Sequence, residues 1–227
     1  MIRGAALVLV ATAALAAEPA RPAPPAPTAG DTYGVAAFAP EYTPPAPGTY
    51  ELPVIATVHD HPVVGADGRA TTLFTLKRDR LAVVAFVYTT CIEATGCPQS
   101  MAVLHRLDRA LAADPALGRH VTLVAVSFDP ERDTPARMAV VRRFHAPRAD
   151  WRFATTRDER ALAPLLDDFG QPVAKLRYPD GTWSGTFRHV LKVFLLDQRN
   201  HVRNVYSVGL LDPQLVLNDL RTLARAR

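Results

Sequence analysis

The chain reads as an α/β domain, a mixed sheet flanked by helices with an N-terminal hairpin. Three observations predict this. Residues 81–88 and 121–128 are continuous apolar runs, as expected of strands buried on both faces. Each is followed by a segment whose apolar residues recur at helical spacing. The carboxyl end adds two more strand-like runs and a last helical stretch.

The elements follow in order. Residues 52–58 and 71–74 read as the strands of a hairpin around Ala66-Asp-Gly68. After the strand at 81–88, residues 100–113 form a helix with Met101, Leu104, Leu107 and Leu111 on one face, stopped by Asp114-Pro115. After the strand at 121–128, Thr134 caps a helix that has Pro135 at its first position. Met138, Val141 and Phe144 are expected to face inward from it. A short strand at 151–154 leads to a helix at 157–169 with Leu162, Leu165 and Leu166 as its stripe. Residues 187–196 and 201–208 read as a hairpin across Asp197-Gln-Arg-Asn200, and Asp212-Pro213 opens a helix to about residue 224.

The 227 residues divide into three parts. Met1-Ile-Arg3 is a short positive region, and 4–17 is small and apolar, ending in Ala14-Leu-Ala16. This reads as a secretory signal peptide over 1–17, with cleavage near Ala16 or Ala17. At about 14 residues the apolar run is short for a span of about 20, so a membrane association is expected only if the segment stays uncleaved. Export implies an oxidising space, here the periplasm. Residues 18–49 are rich in proline and alanine and read as an extended tether. Residues 50–227 have the size of one domain. The net charge of +4 is carried by interspersed charges of both signs. No cluster of Lys and Arg with interleaved aromatics points to nucleic acid.

The two cysteines of the chain, Cys91 and Cys97, stand in Phe86-Val-Tyr-Thr-Thr-Cys-Ile-Glu-Ala-Thr-Gly-Cys-Pro98. They fall between the first long strand and its helix. A helix N-terminus favours thiolate over thiol, so this pair suits redox chemistry or a soft metal. A dithiol at that point of a strand–helix alternation indicates a thioredoxin-like fold. A plain structural disulfide is the bland alternative. A thioredoxin-type reductase keeps two residues between its cysteines, whereas five separate them here. The five-residue loop contains Gly96 and is long enough for both sulfurs to meet on one ion.

Tyr88-Thr-Thr-Cys91, Cys97-Pro98, Val126-Ser-Phe-Asp-Pro-Glu-Arg-Asp-Thr-Pro135 and His189 before an apolar strand resemble the Sco/SenC copper-chaperone family. The resemblance runs from about residue 52 to 223. It implies a thioredoxin-like fold and a role in assembling the binuclear copper centre of cytochrome c oxidase. It also implies Cys91, Cys97 and His189 as copper ligands, with both cysteines as redox-active thiols. Copper(I) is the favoured ion, because thiolates select it and imidazole suits it. The expected partner is the copper-receiving subunit of a respiratory oxidase or another periplasmic cuproprotein. The family's usual pattern is C-x-x-x-C-P with a proline after the first cysteine. Here Ile92 takes that place, and His189 lies between Arg188 and Val190. The resemblance favours a metallochaperone over a turnover enzyme. A periplasmic thiol–disulfide oxidoreductase without a metal is the second reading, and a binding module with an inert disulfide the third.

Other residues carry weaker signals. His59 and His61 would share a face of a strand, as an H-x-H pair able to bind copper(II). His105 is expected on a helix surface, His145 near a helix end and His201 at a hairpin turn. Asp129-Pro130 reads as a turn, Thr134 as a cap and Asp133 as a complement to the helix dipole; a supporting role behind a ligand is the alternative. Tyr88 and Phe128 read as core or site-wall residues.

Overall fold

A computed structural model describes residues 42–91, 93 and 96–225. The signal peptide expected at 1–17, and the tether expected at 18–49 as far as residue 41, lie outside the described residues. Residues 45–48 bond to the last helix, α6 (Pro213–Arg225). Asn218 donates to the Pro45 carbonyl at 2.8 Å, and the Gly48 amide donates to Thr222 Oγ1 at 2.9 Å. No helix among the described residues is long and apolar enough to cross a membrane.

Eight strands form the main sheet, in the order β1 (Ala56–Thr57), β10 (His201–Tyr206), β9 (Val193–Leu196), β4 (Leu81–Val87), β5 (Val121–Ser127), β6 (Trp151–Thr155), β2 (Pro62–Gly65) and β3 (Ala70–Thr72). At its centre β4 (Leu81–Val87), β5 (Val121–Ser127) and β6 (Trp151–Thr155) run parallel, while β9 (Val193–Leu196) joins β4 antiparallel. Every residue of β4, β5 and β9 is buried, so their continuous apolar runs reflect cover on both faces. α2 (Cys97–Ala113) packs on β4 and α6, with Leu104, Leu107 and Leu111 buried. Burying each stabilises by about 1.5–3 kcal/mol. The sheet is mixed and helix-flanked, as the sequence predicts.

Four expectations are corrected. The N-terminal hairpin exists, but its strands are β2 (Pro62–Gly65) and β3 (Ala70–Thr72), which turn at Gly68 with φ of +80°. Of the strand expected at 52–58, only β1 (Ala56–Thr57) forms, and it pairs with β10 (His201–Tyr206). Leu73 and Phe74 open a helix, α1 (Leu73–Lys77), because the Thr72 hydroxyl caps the Thr75 amide. Second, α2 starts at Cys97 and not at residue 100, with Pro98 in the first turn where its missing N–H costs nothing.

The third correction concerns 187–196, expected as one strand. It divides into β8 (Trp183–His189) and β9. β8 leaves the main sheet and pairs with β7 (Val173–Arg177) in a separate ribbon, with His189 opposite Val173. The half-exposed Val190 marks the break. Fourth, α4 (Pro135–His145) packs through Met138 and His145, two turns apart, and leaves Phe144 63% exposed. His145 stacks on Phe153 and touches Trp151, so it is buried. α3 (Pro115–Gly118) and β7 have no counterpart among the expected elements, while α5 (Glu159–Asp168) falls within its expected range.

Candidate metal centre

Cys91, Cys97 and His189 come together from three elements. Cys91 follows β4 on a short turn, its amide donating to the Tyr88 carbonyl at 3.3 Å. Cys97 is the first residue of α2 and is 4% exposed; its Sγ accepts from the Tyr88 amide at 3.4 Å. His189 ends β8. The two Sγ atoms and one imidazole nitrogen all lie within 4.8 Å of one another, with His189 Nε2 3.9 Å from Cys97 Sγ. Three donors spaced evenly around one ion at bonds of about 2.2 Å stand about 3.8 Å apart, so shifts of no more than about 1 Å close the site. Among the described residues no other group of three His, Cys, Asp or Glu donors meets this way. Both cysteines are free thiols in the structure.

An aromatic wall holds the imidazole. The His189 ring stands 5.2 Å from Phe128 and 5.7 Å, edge-on, from Tyr88. Phe187 packs on both at 5.0 and 5.3 Å, which carries the packing from the sheet into the ribbon. Tyr88 and Phe128 are thus site-wall residues, as expected. His189 Nδ1 lies 3.4 Å from the Phe187 carbonyl. With Nδ1 donating there, Nε2 turns its lone pair to the sulfurs.

The thiols are electrostatically unequal. The Cys91 thiol is pushed down to about 5, first by the hydrogen bond from Cys97, then by backbone donors and the Tyr88 hydroxyl. Cys97 is pushed up by its bond to Cys91, by burial and by the Cys91 charge. The two thiols hydrogen-bond to each other and titrate as one coupled pair, with Cys91 the more acidic partner. A cation between the sulfurs removes their protons, because a metal-bound thiol is deprotonated.

The Asp129–Thr134 run does more than turn the chain. Thr134 caps α4 as expected, accepting from the Arg137 amide. Asp133 is fully buried and accepts from the Ser127 hydroxyl at 2.6 Å, the Thr89 amide at 2.9 Å and the Thr89 hydroxyl. It ties the ends of β4 and β5 together two residues before Cys91. Asp129 pairs with Arg132, whose guanidinium lies 4.2 Å over the Trp183 ring. Lys175 of β7 stands over the same ring and pairs with Glu131 and Glu159. These contacts clip the ribbon, and so His189, to the body of the domain. Arg132, Lys175 and Trp183 carry no periodic signal that sequence reasoning could use.

The remaining histidines sit elsewhere. His59 and His61 lie in an irregular segment, not on one strand face, and each binds one oxygen of Asp168 at 3.0 Å. His105, expected on the surface, is half-buried, its ring 6.0 Å from that of His145. Burial, with the nearby charges of His105 and Arg109, pushes His145 down to about 4. His201 begins β10 beside the turn, as expected, and meets Asp197 at 3.2 Å.

A mixed sheet with a Cys-Cys-His cluster at the carboxyl end of its central strand defines a thioredoxin-like protein with a soft-metal or dithiol site. The chain belongs to the SCO1/SenC family, whose profile matches residues 56–225. Solved structures agree in fold. Copper-bound ScoI from Arabidopsis thaliana is 18% identical, with a TM-score of 0.62, covering 76% of this chain and 100% of that one. Copper-bound ScoI from Bradyrhizobium japonicum is 23% identical, with a TM-score of 0.60, covering 74% and 99%. BsSco, described as having a disulfide switch and belonging to a family of cytochrome c oxidase assembly proteins, is 21% identical, with a TM-score of 0.58, covering 78% and 99%. No curated protein sequence matches the chain.

Proposed function

We propose that this chain is an exported copper-binding assembly factor. It carries copper(I) on Cys91, Cys97 and His189 and serves a copper-site subunit of a respiratory oxidase. The observation that carries this reading is the convergence of two sulfurs and an imidazole within 4.8 Å from three separate elements. The donor set is soft, which selects copper(I). A closed zinc site takes a fourth ligand, and none stands with these three among the described residues. The copper-bound relatives from Arabidopsis thaliana and Bradyrhizobium japonicum support the same cargo. In this reading Cys91 and Cys97 would hold the ion as thiolates, giving up their protons as it binds, and His189 would close the site from the ribbon.

A second reading draws on the inequality of the thiols. Cys91 is the more exposed and the more acidic, and Cys97 is buried behind it. That suits a dithiol reductant of a client disulfide. Cys91 attacks one client sulfur and forms a mixed disulfide. Cys97 then attacks Cys91 Sγ, leaving the client with two thiols and this pair oxidised.

One variant separates the two. His189→Ala is expected to weaken copper(I) binding at least about tenfold, or about 1.4 kcal/mol, and to leave thiol exchange intact. Both properties are measured on the same preparation, by chelator competition and by thiol titration. Wild-type copper affinity with lost thiol reactivity would turn the assignment to the oxidoreductase.

A further inference from the structure

We propose that Met101 and Met138 form a second, weaker copper(I) site, a thioether station from which the ion passes to the dithiol. Apart from Met1 they are the two methionines of the chain. Both line one cavity of about 280 Å³ together with Cys91 and Cys97. The station rests on the copper reading of the dithiol only for the ion's destination.

The fold brings the two thioethers to one edge. β4 and β5 run parallel side by side, so the helices that follow them, α2 and α4, both begin at the carboxyl end of the sheet. Met101 lies in α2 four residues after Cys97, one turn along the same face. Met138 is the fourth residue of α4. Helical side chains lean toward the N-terminus of their helix, so both methionines lean back toward the edge that carries the cysteines. Both are buried, which keeps water from competing for an ion that a thioether holds weakly. Leucine would fill the same space at either position; what methionine adds is a soft, polarizable sulfur. Thioethers select copper(I). Among the described residues no acidic side chain lines the cavity, and Arg137 does, its Nε donating to the Thr89 hydroxyl at 3.2 Å. Hard divalent ions take carboxylate oxygens, so this lining turns them away. His145 lines the cavity two turns farther along α4, away from the cysteine edge, and stays with its aromatic packing.

Transfer from the station is ligand exchange at one oxidation state. A bond forms from copper(I) to the Cys91 sulfur, then to Cys97, and each thiol that is still protonated gives its proton to solvent. The two thioether bonds break as the thiolate bonds form, and no electron moves. A thioether carries no proton, so the station itself loads without proton release.

The test uses silver(I), a soft monovalent ion with the closed shell of copper(I), and follows the carbon-13-labelled methyls of Met101 and Met138 by NMR in the reduced full chain. Both methyl shifts are expected to saturate only with the second equivalent, which binds at least about a hundredfold more weakly than the first. In Cys91→Ser with Cys97→Ser they should saturate with the first. Met101→Leu and Met138→Leu are swaps of nearly equal volume that keep the fold. Each should weaken the second equivalent at least about tenfold and abolish the shift of the remaining methyl. Copper(I) given as a weak chelate should then load the dithiol at least about tenfold more slowly in the double leucine variant, with the final affinity unchanged. Methyls that stay in place through two equivalents, a Met101 shift that survives Met138→Leu, or equal loading rates overturn the proposal. A His189→Ala chain that binds the first equivalent as tightly as wild type, while the second still shifts both methyls, keeps the thioether site and removes the Cys-Cys-His ligand set.

Discussion

Cys97→Ser is expected to lose copper(I) by at least about a hundredfold in affinity, or about 2.7 kcal/mol. The change removes one of two sulfurs and leaves a thiolate and an imidazole, a poor pair of donors for a soft ion. Serine is nearly isosteric with cysteine, and its oxygen still accepts the Tyr88 amide hydrogen that Cys97 Sγ accepts at 3.4 Å. The site is buried inside the first turn of α2, so the fold is expected to hold. Competition with a copper(I) chelator gives the affinity, and circular dichroism confirms folding on the same sample. Stoichiometric copper retention by the folded variant contradicts the ligand set.

Asp133→Ala is expected to cost about 3–5 kcal/mol of stability. The carboxylate is fully buried and accepts three hydrogen bonds, from Thr89 twice and from Ser127. Alanine leaves those donors inside the domain with no acceptor, and each unsatisfied buried group costs about 1–3 kcal/mol. In a domain of this size the melting temperature falls by roughly 2–4 °C per kcal/mol, so a drop of about 10 °C is expected. Copper affinity should fall with it, because Thr89 lies two residues before Cys91 and fixes where the turn starts. Asp133→Asn keeps one acceptor oxygen and should fall between the two. A melting temperature within about 2 °C of wild type contradicts this role.

The central sheet was legible because burial on both faces writes itself as an unbroken apolar run, in β4 and β5 alike. The same rule misled at 187–196. The alternation of Phe187, Val190, Leu191 and Val193 does not reveal that the chain leaves one sheet at His189 and enters another at Val193. Phe144 was misplaced because helical spacing alone does not say which of two neighbouring stripes meets the sheet. The stripe is decided by Trp151 and Phe153, which receive His145.

The cysteines were legible from position, since a strand end and a helix start put both at one edge of the sheet. His189 was not legible from its own neighbours and entered only through resemblance to a family. Its distance from the sulfurs is set by long-range packing: Phe187 against Tyr88 and Phe128, and Trp183 beneath Arg132. Asp133 could be read as a helix-start residue, but its bond to Thr89 spans 44 positions and has no local signature.

The central claim is that Cys91, Cys97 and His189 act as one soft-metal site. X-ray absorption on the reduced, copper(I)-loaded chain tests it most directly. The expected first shell is two sulfurs and one imidazole nitrogen per copper, with the nitrogen lost in His189→Ala. A shell of imidazole nitrogens without sulfur, unchanged in His189→Ala and abolished by substituting His59 and His61, would contradict it.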